Sequence, residues 1–192
     1  MPKMFSVNEP KEDKESKDRS DSVTAHFYQM HCERIKRLKE LIHIPEENEC
    51  TFIWAIKSFN AFTFIPFCIQ NFGQIDELYL STYSINIRIV NALIKQVDAG
   101  RILRVHIFIS ESIQFRQATT IEHLNALIAN RPNVSICFDW NHSKVTCAKC
   151  GDRYFVFEGS GNWSENAQFE QYVFVNSKEV YEFRKKIICN ME

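Results

Sequence analysis

Between residues 77 and 138, short apolar runs alternate with helical stretches of about a dozen residues, and this rhythm restricts the fold more than anything else in the chain. Residues 77–82, 103–109 and 134–138 are strand-length runs rich in β-branched and aromatic side chains. Between the first two, residues 86–99 carry Ile85, Ile89, Leu93 and Val97 at i, i+4 spacing and stop at Gly100. Between the second two, residues 119–130 open on Thr119-x-x-Glu122, the pattern of a capping box, with Pro132 just beyond their end. Strands linked by helices need crossover connections. The chain is therefore predicted to be α/β, with a mixed, largely parallel sheet and helices on both faces.

Upstream, residues 51–57 read as a buried strand and residues 63–72 as a helix, with Pro66 in its first turn and Gly73 at its end. In residues 24–44 the apolar side chains Phe27, Met30, Ile35, Leu38, Leu41 and Ile42 fall near one helical face, so an N-terminal helix is expected over 23–44. Arg34 to Lys39 then form its exposed side. Residues 1–22 are almost purely charged and without periodicity, and predict a disordered tail ahead of one domain over 23–192. There is no internal repeat.

Hydrophobic residues at 45% and charged residues at 24% suit a soluble globular domain. The 16 phenylalanines cluster in residues 51–72 and 154–183, which implies an aromatic core. A net charge of −1 excludes global attraction to polyanions, so any such site must be locally basic. Seven scattered cysteines, an opening stretch with no apolar core and no apolar run of spanning length point to a cytoplasmic protein without stable membrane association.

Beyond residue 138 the rhythm changes. Residues 142–148 and 153–158 read as short strands around a turn carrying Cys150-Gly151-Asp152. Gly159-Ser160-Gly161-Asn162 follows, then a strand over 169–176 and a helix over 178–186. His142 and Lys144, two apart in a strand, project from one side. Ser160 and Asn162 are flanked by glycines that let backbone approach a ligand closely. Glu170 is a carboxylate among apolar neighbours and needs a partner if it points inward. Should these strands be neighbours, an imidazole, an ammonium, a hydroxyl, an amide and a carboxylate converge. That set suits metal-free phosphoryl transfer. The imidazole attacks phosphorus, the ammonium and amide stabilise non-bridging oxygens, and a carboxylate behind the imidazole fixes its tautomer. No metal or cofactor is expected. Cys147-x-x-Cys150 lacks a second pair, His106 reads as a core residue, and His26, His31, His43 and His123 are placed on helices without metal spacing.

His142-Ser143-Lys144, followed by Gly159-Ser160-Gly161-Asn162-Trp163 and then Glu170, resembles the His-x-Lys … Gly-Ser-x-Asn signature of the phospholipase D superfamily. The order of elements from about residue 51 to 188 is similar to that fold as well. The chain departs from the family pattern in one respect: Lys149 stands five positions after Lys144, where an Asp is usual, and Asp152 is displaced along a longer hairpin. The resemblance implies an α-β-α sandwich and a phosphohistidine intermediate at a site built from two motifs. With one motif per chain, the second comes from an identical partner around a two-fold axis. It implies catalytic roles for His142, Lys144, Asn162, Ser160 and Glu170, and substrate contacts for Gly159, Gly161 and Trp163. Trp163 either lines the cleft or packs beneath the loop. Small single-motif members tend to be nucleases, so nucleic acid is the expected substrate, held by a basic cleft around Lys144, Lys149 and Arg153. The alternative is a weakened copy that binds nucleic acid or a protein without turnover, which the missing Asp favours.

Overall fold

The computed structural model describes residues 26–56, 59–164 and 168–189; the charged stretch 1–22 lies outside them. Among the described residues there are eight strands: β1 (Gln29–Ile35), β2 (Glu49–Ala55), β3 (Glu77–Thr82), β4 (Val105–Ser110), β5 (Val134–Asp139), β6 (Val145–Cys150), β7 (Arg153–Gly159) and β8 (Glu170–Asn176). They join one sheet in the order β1-β2-β8-β7-β6-β3-β4-β5. The helices are α1 (Phe64–Phe72), α2 (Ile87–Asp98), α3 (Ile113–Arg116), α4 (Ala118–Ile128) and α5 (Lys178–Cys189). The sheet is mixed, as expected, but parallel pairing is confined to its two ends, β1–β2 and β3–β4–β5. The β6–β7 hairpin and β8 occupy the middle and make the four central pairings antiparallel. The alternation read from residues 77–138 is thus a local property of one half of the sheet.

Strand alternation distributes the core over two faces. Leu78 and Leu80 of β3 and Ile107 and Ile109 of β4 pack with α1, α2 and α4. The intervening Tyr79 and Phe108, with Cys147, Val156 and Val175, pack with Tyr181 and Ile188 of α5. The phenylalanine clusters meet as expected, Phe64 lying 4.2 Å from Phe157 and 5.8 Å from Phe174 between ring centroids. Asn86 caps α2 by accepting the Ile89 N–H at 2.9 Å.

Two local expectations are corrected. The described part of the expected 23–44 helix, residues 26–44, forms no α-helix: β1 runs parallel to β2, and a short 3-10 turn (Leu38–Glu40) follows. Ile35 and Leu38 are buried, but Phe27, Met30 and Ile42 stay exposed, so the apparent apolar stripe does not face the core as a unit. The ladder to β2 supplies the backbone partners that a helix would have found internally. The Thr119-x-x-Glu122 pattern also caps nothing, because α4 begins at Ala118 after Gln117, whose side chain makes no cap bond.

Helix α5 covers only part of its face. Beyond it, β1, β2 and β8 present Cys32, Arg34, Phe52, Trp54 and Val173 to an open groove of about 860 Å³ that reaches Ser143 and Lys144. Among the described residues no helix is long and apolar enough to cross a membrane.

Glu77 ties α5 down. It accepts from Lys185 Nζ at 2.8 Å and from the Tyr181 hydroxyl at 3.4 Å, and lies 3.3 Å from Arg104. Burial pushes the Glu77 carboxyl up, but the Lys185 hydrogen bond and the charges of Lys185, Arg104 and Lys149 outweigh it and hold the group below its ordinary 4.5. A carboxyl lowered by folding contributes stability that is full above its unfolded pKa and is lost as pH falls through the folded one. Urea midpoints should therefore drop as pH falls below about 4.5. In Glu77→Gln the midpoint should be lower at neutral pH and its acid slope shallower.

Candidate active site

The residues of interest gather where β6 starts, β7 ends and β8 starts. Ala55, the last residue of β2, pairs with Glu170, and Gly159 pairs with Tyr172. Residues 141–144 precede β6 rather than forming part of it. The pairing of His142 and Lys144 arises there, with Lys144 Nζ 3.3 Å from His142 Nδ1 and donating to the His142 carbonyl at 2.7 Å. The Gly159 N–H donates to the Lys144 carbonyl at 3.3 Å, which joins this segment to the glycine loop. On that loop the Ser160 hydroxyl donates to the buried Glu170 carboxylate, and itself accepts the Gln171 N–H at 3.0 Å. Asn162 sits two residues on; its carbonyl accepts the Ala61 N–H at 3.3 Å, while its Oδ1 is buried without a hydrogen-bond partner. Structure thus brings His142 to Lys144 and Ser160 to Glu170, and Gly159 holds the two pairs side by side.

Electrostatics link them too. Burial lowers the Lys144 pKa, and the Glu170 charge opposes that without cancelling it. The ammonium should therefore titrate below the ordinary 10.5. Affinity for inorganic phosphate, followed by calorimetry, is expected to fall on the alkaline side before a surface lysine would lose its proton. Lys144→Met should weaken phosphate binding roughly tenfold to a hundredfold, the range for losing a charge-assisted hydrogen bond.

Several supporting residues carried no recognisable signal in the sequence. The buried Asn141 donates to Ser81 Oγ at 2.9 Å and to the carbonyls of Thr82 and Phe108 at 3.3 Å. Its Oδ1 accepts the Ser143 N–H at 2.9 Å and hydroxyl at 2.7 Å, so the residue on each side of His142 is fixed to the ends of β3 and β4. Tyr83 stands 4.6 Å from the His142 ring, and the Arg116 guanidinium lies 4.2 Å over the same tyrosine. Only their placement just past strand C-termini, where α/β sites collect, could have marked Tyr83 and Asn141.

Three expectations fail here. Trp163 is fully buried: its Nε1 donates to Thr146 Oγ1 at 3.0 Å, its N–H to Thr82 Oγ1 at 3.2 Å, and Phe62 meets it edge-on. It cannot touch a substrate. Gly159 and Gly161 are small for β8, not for a ligand: a Cβ at Gly159 would overlap the Gln171 carbonyl, and one at Gly161 the Tyr172 hydroxyl. The basic cleft does not include Lys149 or Arg153. Lys149 pairs in register with Glu77 at the far end of β6, about 17 Å from Lys144 at strand rise. Arg153 lies beside it, over the Phe72 ring and 3.8 Å from Glu46. The cations that do line the groove from Lys144 are Arg34 and Arg184, the latter bound to Glu158 at 2.7 Å.

No protein-family model matches the chain, and no curated protein matches it. A solved structure does. Polyphosphate kinase from Porphyromonas gingivalis superposes with a TM-score of 0.53 at 14% identity, over 72% of this chain. The likeness is one of fold. It spans 26% of that enzyme's chain.

Proposed function

We propose that this chain is a phosphoryl-transfer enzyme that hydrolyses phosphodiesters through a phosphohistidine on His142, acting as a homodimer on nucleic acid. The observation that carries the reading is the Lys144 ammonium 3.3 Å from the His142 imidazole, next to the Ser160–Glu170 pair. In the first step an imidazole nitrogen of His142 attacks phosphorus. A P–N bond forms, the P–O bond to the leaving group breaks, and the partner's His142 gives its proton to the departing oxygen. In the second, water attacks the phosphohistidine, the partner's His142 takes the water proton, and the P–N bond breaks. Lys144 supplies charge, and the Asn162 Nδ2 donates hydrogen bonds, to the non-bridging oxygens. Glu170 fixes Ser160 and opposes the loss of charge that burial favours on Lys144.

The groove supports nucleic acid as substrate. Phe52 and Trp54, two apart on β2, are 43% and 50% exposed, and Arg34 stands opposite Trp54 in the ladder. Aromatic faces with a cation alongside suit the stacked bases and phosphates of a single strand. The name of the fold neighbour, a kinase of polyphosphate, belongs to the same broad phosphoryl-transfer class. Lys149 in the place of the family's Asp favours the second reading, a copy that binds without turnover.

The test is incubation of the purified chain with single- and double-stranded DNA, RNA and a chromogenic phosphodiester in EDTA, with sedimentation in parallel. Chelator-resistant cleavage that favours single strands, by a dimer, is expected. Binding without any cleavage would leave the second reading. A strict monomer at micromolar concentration would remove the two-histidine mechanism.

A further inference from the structure

At the opposite end of β2 the chain assembles a cluster that the proposed chemistry does not use. In the parallel ladder Gln29 pairs with Glu49 and His31 with Thr51, which places His31 and Glu49 on neighbouring strands. The segment after the Leu38–Glu40 turn returns over them and delivers His43. His43 Nε2 lies 2.5 Å from Glu49 Oε2, and His31 Nε2 lies 3.8 Å from the same oxygen. The two rings stand 4.7 Å apart at 37°. One ligand atom from each residue falls within 4.8 Å of the others. The expectation that His31 and His43 sit on helices without metal spacing is thereby overturned: a strand and a loop bring them together.

A plain ion pair does not account for the arrangement. The Glu49 oxygen already accepts the Glu46 N–H at 3.0 Å and contacts His43, while His31 Nε2 is buried and makes no hydrogen bond. Two imidazoles aimed at one carboxylate, one with a buried and unused ring nitrogen, are what a cation between them would organise.

We propose that His31, His43 and Glu49 form a binding site for a first-row divalent transition metal, zinc foremost. Two imidazoles and one carboxylate suit such an ion, whereas magnesium and calcium favour all-oxygen sets. The side chains of His31, His43 and Glu49 are 22%, 37% and 13% exposed, so the cluster opens to solvent on the His43 side, and water completes a tetrahedron there. Binding lengthens the His43–Glu49 contact, because two ligands each about 2.0–2.1 Å from one ion stand farther apart than a hydrogen-bonded pair. The site is structural. Glu49 and Ala55, which pairs with Glu170, are six strand positions apart, or about 20 Å. The metal fastens edge strand β1 and the 36–48 segment to β2, adding to the ladder and to the burial of Ile35 and Leu38.

The test uses the full chain, stripped with a chelator, dialysed and titrated with Zn²⁺ and separately with Co²⁺. Expected are one ion bound per chain, visible cobalt bands of tetrahedral character, and a rise in Tm with either ion. Glu49→Gln and the pair His31→Asn/His43→Gln should each lower Zn²⁺ affinity by roughly a hundredfold or more, at least the loss seen for outer-shell partners. Circular dichroism should show the native spectrum in both. Glu49→Gln carries the result if the double variant does not fold. Absence of binding in the parent chain overturns the proposal, and so does unchanged binding in these variants, which would place the ion elsewhere. Phosphodiester cleavage is no readout: a zinc-binding chain that cleaves nothing leaves this site standing, and a chain that cleaves but binds no zinc overturns it alone.

Discussion

Replacement of His142 by alanine is expected to lower phosphodiester turnover by about a thousandfold or more, the scale on which removal of a nucleophile leaves only binding and electrostatic assistance. The imidazole is exposed and rests on Tyr83, with Lys144 as its polar neighbour, so its loss opens no buried cavity. Stability should stay within about 0.5 kcal/mol of the parent, as for other surface substitutions. Rate and Tm measured together therefore separate chemistry from folding. Quenching turnover in alkaline denaturant should trap an acid-labile phosphoryl adduct on the parent chain and none on His142→Ala. An unchanged cleavage rate in the variant would end the phosphohistidine mechanism, whatever cleaves the substrate.

The largest loss of stability is expected at Trp163. Truncation to alanine should cost about 3–5 kcal/mol in urea unfolding, the range for removing a large aromatic from a core. The indole is enclosed by Phe62, Thr82 and Thr146, and its N–H donates to the Thr146 hydroxyl. Trp163→Phe retains most of the packing and should cost less, about 1–3 kcal/mol, for the unmatched polar group and the smaller ring. Because Asn162 is the preceding residue, both variants should also weaken catalysis in proportion to their disturbance of that amide. A tryptophan that stacked substrate would behave in the opposite way, raising KM with unchanged stability. Unfolding midpoints equal to the parent in Trp163→Ala would contradict its buried position.

Much of this architecture was legible because its signals are local. Residues 77–138 carry strand and helix periods that agree with their tertiary surroundings, and β3, α2, β4 and β5 fall where those periods put them. Residues 24–44 misled because their apolar positions satisfy helical spacing by coincidence. What makes Gln29–Ile35 a strand is the backbone of β2, a partner that no local window contains. At the site, His142, Lys144, Ser160 and Glu170 were readable from residue type and spacing, and His142–Lys144 and Ser160–Glu170 are in contact. Trp163 was ambiguous because an aromatic beside a loop asparagine looks the same whether it points inward or outward. Asn141, Tyr83 and Arg116 went unmarked because their importance lies in what they touch across the sheet. Lys149 and Arg153 misled for the converse reason, since closeness along a hairpin says little about distance once the strand between is extended.

The last strand in sequence is a middle strand in space. β8 lies between β2 and β7, and at its two ends Glu170 holds Ser160 while Asn176 bonds the Pro45 carbonyl at 3.1 Å and the Tyr154 N–H at 3.2 Å. A nascent chain halted before Glu170 would carry β1–β2 and β7-β6-β3-β4-β5 as two pieces with raw edges facing each other. Such a translation intermediate is sticky and its candidate site incomplete, because the strand that seals it also brings Glu170, which holds Ser160. Contacts this distant in sequence make for slow maturation and a long window in which a chaperone would be useful. The polypeptide completes its candidate site in the same event that closes its sheet.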